Sequence, residues 1–325
     1  MIEHPALSIV IPVFNGATTI ERVVAGLQEL DIAKDMEIIL VNDASGDQSA
    51  AVCETIVQTS PVPTTLINHA RNFGEHNAIM TGLRHARGAH VITIDDDLQN
   101  PPSEVMRLYE YALNSGKDVV YSRYARKQHA TWRNLGSWFA NCCANTLFDK
   151  PKELYLSSFR CMNQFCATEI TRYEGPYPYV DGLIMQCTNS FASIEVEHHT
   201  RTEGRSGYTL KKLIQLWMRI ALNFSVIPLR ICTLIGLMVS LMGFGGIIWV
   251  FADYVMNGVS APGWTTLMIF MITFSGVQLI MLGIVGEYLG RLFMTANRKP
   301  QSVVRDVIRT VDRLGENTTE EVTLI

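Results

Sequence analysis

The chain has 325 residues, of which 27 are Lys or Arg and 31 are Asp or Glu, for a formal net charge of −4. Only 18% of the residues are charged, 48% are hydrophobic and the mean hydropathy is +0.14, which excludes a disordered chain and a collagen-like repeat and indicates an apolar, non-surface segment. The slightly acidic balance argues against a nucleic-acid partner, because such a protein needs a basic face to neutralise phosphates.

The amino terminus and the cysteines both indicate the cytosol. No basic stretch followed by an apolar run opens the chain, so no signal peptide is predicted and the first domain is expected to stay in the cytosol. Seven cysteines without a Cys-x-x-Cys pair predict neither a disulfide framework nor a zinc site. Reduced thiols fit this pattern.

Apolar runs alternate with helical periods over residues 7 to 123, which is typical of βαβ units. The predicted strands are Leu7 to Val13, Met36 to Val41, Thr64 to Asn68, His90 to Ile94 and Asp118 to Ser122. The predicted helices are Thr18 to Leu30, Ser49 to Gln58, Gly74 to Arg87 and Pro102 to Asn114. We therefore predict an α/β fold with a doubly wound, mostly parallel sheet, in which ligands bind at the carboxyl ends of the strands.

Polar segments follow four of these strands, and none is a known phosphate-binding loop. No G-x-G-x-x-G follows the first strand, and no G-x-x-x-x-G-K-[ST] occurs anywhere in the chain. The segments are Phe14-Asn15-Gly16, Asn42-Asp43-Ala44-Ser45, Arg71-Asn72-Phe73-Gly74 and Asp95-Asp96-Asp97-Leu98-Gln99. A nucleotide would therefore be held by other groups.

Three consecutive aspartates end the fourth strand. Asp95 and Asp97 leave the strand on the same side, where a hard divalent cation would relieve their repulsion. The alternative is that they cap the helix beginning near Pro102. Asp96 points the other way and is predicted to be structural. Asp43 either accepts a hydrogen bond from a nucleobase edge or forms an Asx turn before the next helix.

Two uncharged segments near the other end, Ile231 to Ala252 and Gly263 to Gly286, each exceed the roughly 20 residues that cross a bilayer as a helix. Buried helices of a large soluble core are the alternative. The link between the segments has no Lys or Arg, so a hairpin with both ends in the cytoplasm is predicted. The flanking basic residues are Lys211, Lys212, Arg219, Arg230, Arg291, Arg298 and Lys299.

Amphipathic patterns flank the predicted hairpin on both sides. Apolar residues recur at helical spacing from Tyr208 to Phe224, which predicts a helix in the membrane interface, or alternatively a surface helix packed on the domain. Beyond the hairpin, the spacing of five apolar residues predicts a C-terminal helix that mediates self-association: Val304, Val307, Ile308, Val311 and Leu314.

The strand-end segments, taken in order, resemble the family-2 glycosyltransferases of GT-A fold. The hairpin, with Pro228-Leu229-Arg230 before it and Gly286-Glu287-Tyr288-Leu289-Gly290-Arg291 after it, is similar to that of the polyprenyl-phosphate glycosyltransferases. That group includes undecaprenyl-phosphate glucosyl- and formamidoarabinose transferases and dolichol-phosphate mannose synthase. The resemblance covers residues 7 to 305 and implies four segments: a catalytic domain (1–207), an interfacial helix (208–229), a two-span hairpin (230–290) and a cytosolic C-terminal segment (291–325).

The resemblance also implies roles for individual residues. Those around the nucleotide sugar are Pro12, Phe14, Asn15, Asp43, Arg71, Asp95 and Asp96. Those that hold Mg²⁺ or Mn²⁺ are Asp95, Asp97 and Gln99. Those at the acceptor phosphate are Arg160, Arg201, Arg205 and Ser206. Catalysis is assigned to Asp97, Arg160 and Arg201, although Arg160 has the alternative of an ion pair within the domain and Arg201 that of a membrane-surface contact.

Three positions depart from the family pattern. The family commonly has Glu at Gly16, Lys at Gly207 and, at Ser158, an Asp that is the usual candidate base. A lipid monophosphate is already largely dianionic at pH 7, since its second pKa is about 6, so we expect that no base is needed. Glu153 is a possible substitute base. His76 resembles the formamidoarabinose branch, or is simply a helix-surface histidine.

The activity that the resemblance implies is an inverting transfer of one sugar from a nucleotide sugar, with UDP by analogy, to undecaprenyl phosphate. The enzyme would lie in the bacterial inner membrane, contact its lipids and form a homotetramer. Its product would serve cell-envelope glycan synthesis or the modification of lipid A or O-antigen. The alternatives are an impaired paralogue that binds lipid phosphate as a scaffold, and a two-span accessory subunit.

Overall fold

The structure is a computed structural model that describes residues 5–124, 154–197, 227–257 and 263–310. The chain divides into two compact units. The first comprises Met1–Gly207 with Pro300–Ile325, and the second comprises Tyr208–Lys299.

The first unit is an α/β structure built on one sheet of eight strands. The strands are β1 (Leu7–Val13), β2 (Met36–Asn42), β3 (Thr64–His69), β4 (His90–Thr93), β5 (Val119–Tyr124), β6 (Arg160–Asn163), β7 (Phe191–Val196) and β8 (Val304–Arg309). The helices are α1 (Ile20–Gln28), α2 (Ser49–Thr59), α3 (Glu75–His85), α4 (Ser103–Ser115), α5 (Gln164–Thr171) and α6 (Val180–Cys187). A short 3₁₀ helix covers Asp31–Asp35.

The strand order is β7-β5-β6-β4-β1-β2-β3-β8, and the sheet is mixed. β1 pairs in parallel with β2 and β4, and β2 in parallel with β3, as predicted. β6 pairs antiparallel with both β4 and β5, and β8 pairs antiparallel with β3. The prediction of an α/β fold with a mostly parallel sheet is thus confirmed, and only β6 and β8 of the eight strands run against the others.

Helices cover both faces of this sheet. Every residue of β1 and β2 is buried, which is typical of central parallel strands. Strand residues such as Ile9 and Leu40 form one apolar core with residues of α1, α2 and α4. On the opposite face α3 lies so close to the sheet that a Cβ on Gly82 would overlap Val10. This layering leaves the carboxyl ends of the strands for the loops.

The predicted C-terminal helix is wrong over its described part. Val304–Arg309 is strand β8, which pairs antiparallel with β3 at the edge of the sheet. Six residues are too few for helical spacing to be distinguished from a strand, and backbone pairing with β3 decides the outcome. The proposed self-association through this helix therefore loses its basis, and residues 300–310 join the first unit.

The second unit contains two long helices, α7 (Ile227–Asn257) and α8 (Trp264–Ala296). By length and composition, Phe274–Ala296 is the one segment of the described residues that could cross a membrane, and Cys232–Gly246 is a shorter apolar helical segment. The predicted two-span hairpin is therefore not confirmed by the helices alone. The predicted interfacial helix lies in 198–226, outside the described residues.

Candidate active site

The loops after β1 and β2 are tied together by hydrogen bonds. The amide of Asn15 donates to Ser45 Oγ (3.1 Å), and the amide of Gly46 donates to Asn15 Oδ1 (2.8 Å). Asn15, Ala44 and Leu98 are non-glycine residues with positive φ (55°, 52° and 60°), one in each of three strand-end loops. Such backbone conformations are costly and cluster at functional sites. Phe14 lies beside them with 52% of its surface exposed, while Pro12 is buried within β1.

Asp43 binds the loop between β3 and α3. Its carboxylate accepts hydrogen bonds from the amides of Phe73 (2.9 Å) and Gly74 (2.7 Å) and lies 2.8 Å from His69 Nδ1. Burial opposes ionisation of this group, but the hydrogen bonds outweigh burial and lower the pKa of Asp43. The side-chain contacts typical of turns are made by neighbours of Asp43 and not by Asp43 itself. Asn42 accepts from the Ser45 amide, and Asp47 accepts from the Ser49 amide.

The three aspartates after β4 make different contacts. Asp95 Oδ2 accepts from the hydroxyl of Ser158 (2.5 Å), and Asp97 Oδ1 accepts from the Gln99 amide (3.1 Å). Asp96 Oδ2 accepts from the Phe14 amide (3.3 Å) and so joins this loop to β1. The capping alternative is weakened, because the N-cap residue of α4 is Pro102.

The acidic loop fits a hard divalent cation. Burial and the charges of Asp95 and Asp97 raise the pKa of Asp96 to about 7. The raised pKa reflects repulsion among the three neighbouring carboxylates, which a bound cation would relieve. Within the described residues no three His, Cys, Asp or Glu side chains converge on one point. Mg²⁺ commonly takes one or two carboxylates together with waters and substrate phosphates, so two aspartates suffice.

Gly16 packs against the same loop. A Cβ at this position would overlap the carboxylate of Asp96. The amide of Gly16 donates to Ser49 Oγ (2.9 Å), which fixes the start of α1 against α2. The family's common glutamate therefore does not fit here unless Asp96 moves.

Arg160 lies on β6 with 1% of its surface exposed and forms an ion pair with Asp181 of α6. The hydroxyl of Tyr121 also donates to Asp181 Oδ1 (3.1 Å). Burial opposes the charge of the guanidinium, but Asp181 raises the pKa of Arg160 above its ordinary value. Arg160 Nε is buried without a hydrogen-bond partner among the described residues. The ion pair with Asp181 thus accounts for part of the guanidinium of Arg160, and its Nε–H donor has no partner among the described residues.

His76 lies at the start of α3, edge-on to the ring of Tyr179 with 5.1 Å between centroids. Burial lowers the pKa of His76 to about 4, so the imidazole is neutral at pH 7. Its Nδ1 is buried and has no hydrogen-bond partner within the described part of the chain. His76 is therefore not simply a surface residue of α3, because its ring packs on Tyr179 and its Nδ1 is buried. The charges of Asp181 and Arg160 both affect its pKa.

The remaining predicted residues are less constrained. Arg71 is exposed, with its guanidinium carbon 4.7 Å from the centroid of the Phe73 ring. Several positions lie in 125–153 or 198–226, outside the described residues: Glu153, Arg201, Arg205, Ser206 and Gly207. The roles of Asp43, Arg71, Asp97 and Arg160 toward ligands stay predictions.

The sequence analysis missed four residues that organise this site: His69, Thr81, Tyr121 and Asp181. All four are at least nine-tenths buried. The one signal in the sequence was His69, which directly follows a predicted buried strand. A polar side chain at such a position requires a hydrogen-bond partner.

Known proteins match this chain over almost its whole length. Residues 8–169 match the model of glycosyl transferase family 2, and residues 227–292 match that of the GtrB C-terminal hairpin. The undecaprenyl-phosphate 4-deoxy-4-formamido-L-arabinose transferase of Pectobacterium atrosepticum is 33% identical, over 97% of this chain and 97% of that protein. The uncharacterized glycosyltransferase YkcC of Bacillus subtilis is 29% identical over 94% of this chain and 95% of its own length.

Among solved structures, glucosyl-3-phosphoglycerate synthase from Mycobacterium tuberculosis shares the fold of the first unit. The complex of that enzyme with Mn²⁺, UDP-glucose and phosphoglyceric acid has a TM-score of 0.51 and 17% identity. The match covers 67% of this chain and 78% of that one.

Proposed function

The chain belongs to glycosyl transferase family 2, and on that premise we propose that it transfers one sugar from a UDP-sugar to undecaprenyl phosphate or a related polyprenyl phosphate. The observation that carries the proposal is the 33% identity to an undecaprenyl-phosphate formamidoarabinose transferase over 97% of both chains. The match extends over both units of the chain.

The donor is proposed to bind across the carboxyl ends of β1, β2 and β4. Exposed Phe14 and the ordered carboxylate of Asp43 suit a nucleobase, and Arg71 suits a phosphate. The structural neighbour of the same fold binds UDP-glucose and Mn²⁺, which supports a uridine nucleotide and a divalent metal for this chain.

Asp95, Asp97 and Gln99 are the residues proposed to hold Mg²⁺ or Mn²⁺. Their oxygen atoms are the ligand type that both ions prefer. When bound there, a divalent cation would neutralise the diphosphate leaving group. Ser158 keeps one carboxylate oxygen of Asp95 hydrogen-bonded and thereby fixes its orientation.

The acceptor is a phosphate that needs no deprotonation. An oxygen of the dianionic lipid phosphate attacks the anomeric carbon, a new carbon–oxygen bond forms, and the bond from that carbon to the nucleoside diphosphate breaks with inversion. The chain's contribution is to orient the two reactants and to neutralise their charge. Arg160 is proposed to donate Nε–H to one of them, since that atom has no protein partner in the described residues.

The second unit is proposed to anchor the enzyme in the bacterial inner membrane, with the catalytic unit on the cytoplasmic side. Support comes from the hairpin match and from large exposed apolar side chains on both helices, such as Met242 (77%), Trp249 (76%) and Phe270 (71%). Exposed apolar surface of this extent marks a membrane or protein contact. The two spans, the contacts with membrane lipids and a homotetramer are further parts of the proposal.

A carboxylate at position 158 should not accelerate the reaction. Ser158→Asp would place a second carboxylate within hydrogen-bonding distance of Asp95, and like charges that close repel. We expect Ser158→Asp to lower turnover relative to the uncharged, equally large Ser158→Asn. Steady-state turnover of both variants measures the difference. A many-fold gain in Ser158→Asp, or abolition of activity in Glu153→Gln, would show that a base is required.

The proposed reaction is tested by nucleoside diphosphate release from the purified full chain in detergent. UDP-, GDP- and dTDP-sugars are each supplied with or without undecaprenyl phosphate, and with Mn²⁺, Mg²⁺ or EDTA. We expect release from a UDP-sugar only when both lipid and metal are present. Lipid binding without release from any donor would instead support the scaffold alternative.

A further inference from the structure

The segment that follows the second unit is fastened to the donor side of the sheet. We call residues 301–309 the C-terminal strap. Gln301 accepts from Arg84 (2.6 Å) and donates to the carbonyl of Gly175 (2.9 Å). The carbonyl of Val303 accepts from the amide of Ala70 (2.8 Å), directly after β3. The strap then continues as β8.

Asn68 and Asp306 connect the strap to β2. Asn68 Nδ2 donates to Asp306 Oδ1 (2.7 Å), and Asn68 Oδ1 accepts from Asn42 Nδ2 (2.9 Å). Asn42 directly precedes Asp43 in the chain, so two hydrogen bonds in series join the strap to the neighbour of the residue that is predicted to contact the base.

A buried line of side chains leads from the strap to Asp43 itself. Ser302 Oγ lies 2.9 Å from Thr81 Oγ1, Thr81 Oγ1 lies 2.9 Å from His69 Nε2, and His69 Nδ1 lies 2.8 Å from Asp43 Oδ1. Asp43, His69 and Thr81 are 3%, 2% and 2% exposed. Solvent therefore offers little substitute for these contacts.

The direction of the hydrogen bonds follows from counting protons. The pKa of Asp43 is lowered, so its carboxylate can only accept, and His69 Nδ1 donates to it. In the imidazole tautomer with its hydrogen on Nδ1, Nε2 is an acceptor and Thr81 supplies the hydrogen. Thr81 has one hydroxyl proton, and the Asn77 carbonyl (3.0 Å) competes for it. Ser302 can only donate to Thr81 in this arrangement, and that donation polarises the Thr81 hydroxyl toward His69.

We propose that Ser302 is a positioning residue of the donor site, which acts through Thr81 and His69 to orient Asp43 for the nucleobase. The inference rests on the proposed function, because the base contact of Asp43 belongs to it. It adds that a residue of the C-terminal strap, more than two hundred positions from Asp43 in sequence, sets the affinity for the nucleoside part of the donor.

The test is calorimetric titration of the detergent-solubilised full chain with UDP and Mn²⁺, and in parallel with inorganic pyrophosphate and Mn²⁺. Loss of one hydrogen bond in the line should weaken UDP binding about threefold in Ser302→Ala and about tenfold in Thr81→Val. Pyrophosphate has no base, so its binding should not change. Ser302→Thr keeps the hydroxyl and should restore UDP affinity.

Thr310→Ala is the matched control. Thr310 Oγ1 accepts from the amide of Thr64 (3.0 Å) and donates to its carbonyl (3.1 Å), so it fastens the same part of the chain at the opposite end of β3. We expect Thr310→Ala to lower thermal stability without changing UDP affinity. Two results for Ser302→Ala would overturn the inference. One is that the affinities for UDP and pyrophosphate fall equally, and the other is that this variant binds UDP as tightly as the unaltered chain does. Failure of the unaltered chain to bind UDP would overturn the proposed donor and the inference with it.

Discussion

Asp97→Asn is expected to lower the rate of sugar transfer by about a hundredfold to a thousandfold, since it removes one of the two charged oxygen ligands that we propose for the metal. The amide has nearly the shape of the carboxylate and can still accept from the Gln99 amide (3.1 Å), so the loop should keep its conformation. What is lost is negative charge at the point where we propose that the diphosphate and the cation meet.

UDP titrations with and without Mn²⁺ separate this effect from a general loss of structure. In the unaltered chain Mn²⁺ should tighten UDP binding, and in Asp97→Asn that increment should disappear while metal-free binding stays the same. Asp31→Asn, at an exposed position of the 3₁₀ helix, is the matched control and should behave as the unaltered chain. If Asp97→Asn kept its metal dependence, Asp97 would not be a ligand.

Asp181→Asn is expected to be among the most destabilising single changes in the catalytic unit. It leaves the charge of Arg160 buried without its counterion, which costs about 3–5 kcal/mol for a buried pair. In a domain of this size the thermal midpoint should fall by about 6–20 °C. Tyr121→Phe removes one hydrogen bond to the same carboxylate and should cost only about 1 kcal/mol. Differential scanning fluorimetry compares the two directly.

The same pair distinguishes the two interpretations of Arg160. A triple variant, Arg160→Met with Asp181→Leu and Tyr121→Phe, replaces the polar cluster with apolar side chains and should recover most of the stability. If Arg160 also contacts substrate, this variant stays folded but loses transfer. If the triple variant is folded and active, Arg160 is a structural ion pair and its proposed role is wrong.

Local patterns predicted the elements whose partners are near in sequence. β1, β2 and β3 begin at the predicted residues, because each contains a short apolar run that lies between clear turn signals. The loops after these strands were identified for the same reason. Asn15, Ala44 and Leu98, in the loops after β1, β2 and β4, have positive φ, and nothing in the residue types reveals that strain.

Local sequence patterns could not predict the contacts between segments that are distant in sequence. β8 was predicted as a helix because spacing is ambiguous over six residues and its partner β3 lies far away in sequence. Arg160 was identified, but Asp181 was not, because a single carboxylate at the start of a helix has no distinctive spacing. The line from Ser302 to Asp43 joins the strap, α3, β3 and the loop after β2, and it is recognisable only once these segments are folded together.

The place of β8 in the chain sets an order on biosynthesis. A ribosome releases the segments for β1 to β7 first, then α7 and α8, and only afterwards the strand that covers the outer edge of β3. Until then β3 presents unpaired backbone groups, which in a nascent chain invite pairing with other chains. Completion of the sheet must therefore wait until both long apolar helices have been made. A chain terminated before the strap would retain every strand-end motif and yet lack the segment that we propose completes the nucleotide site.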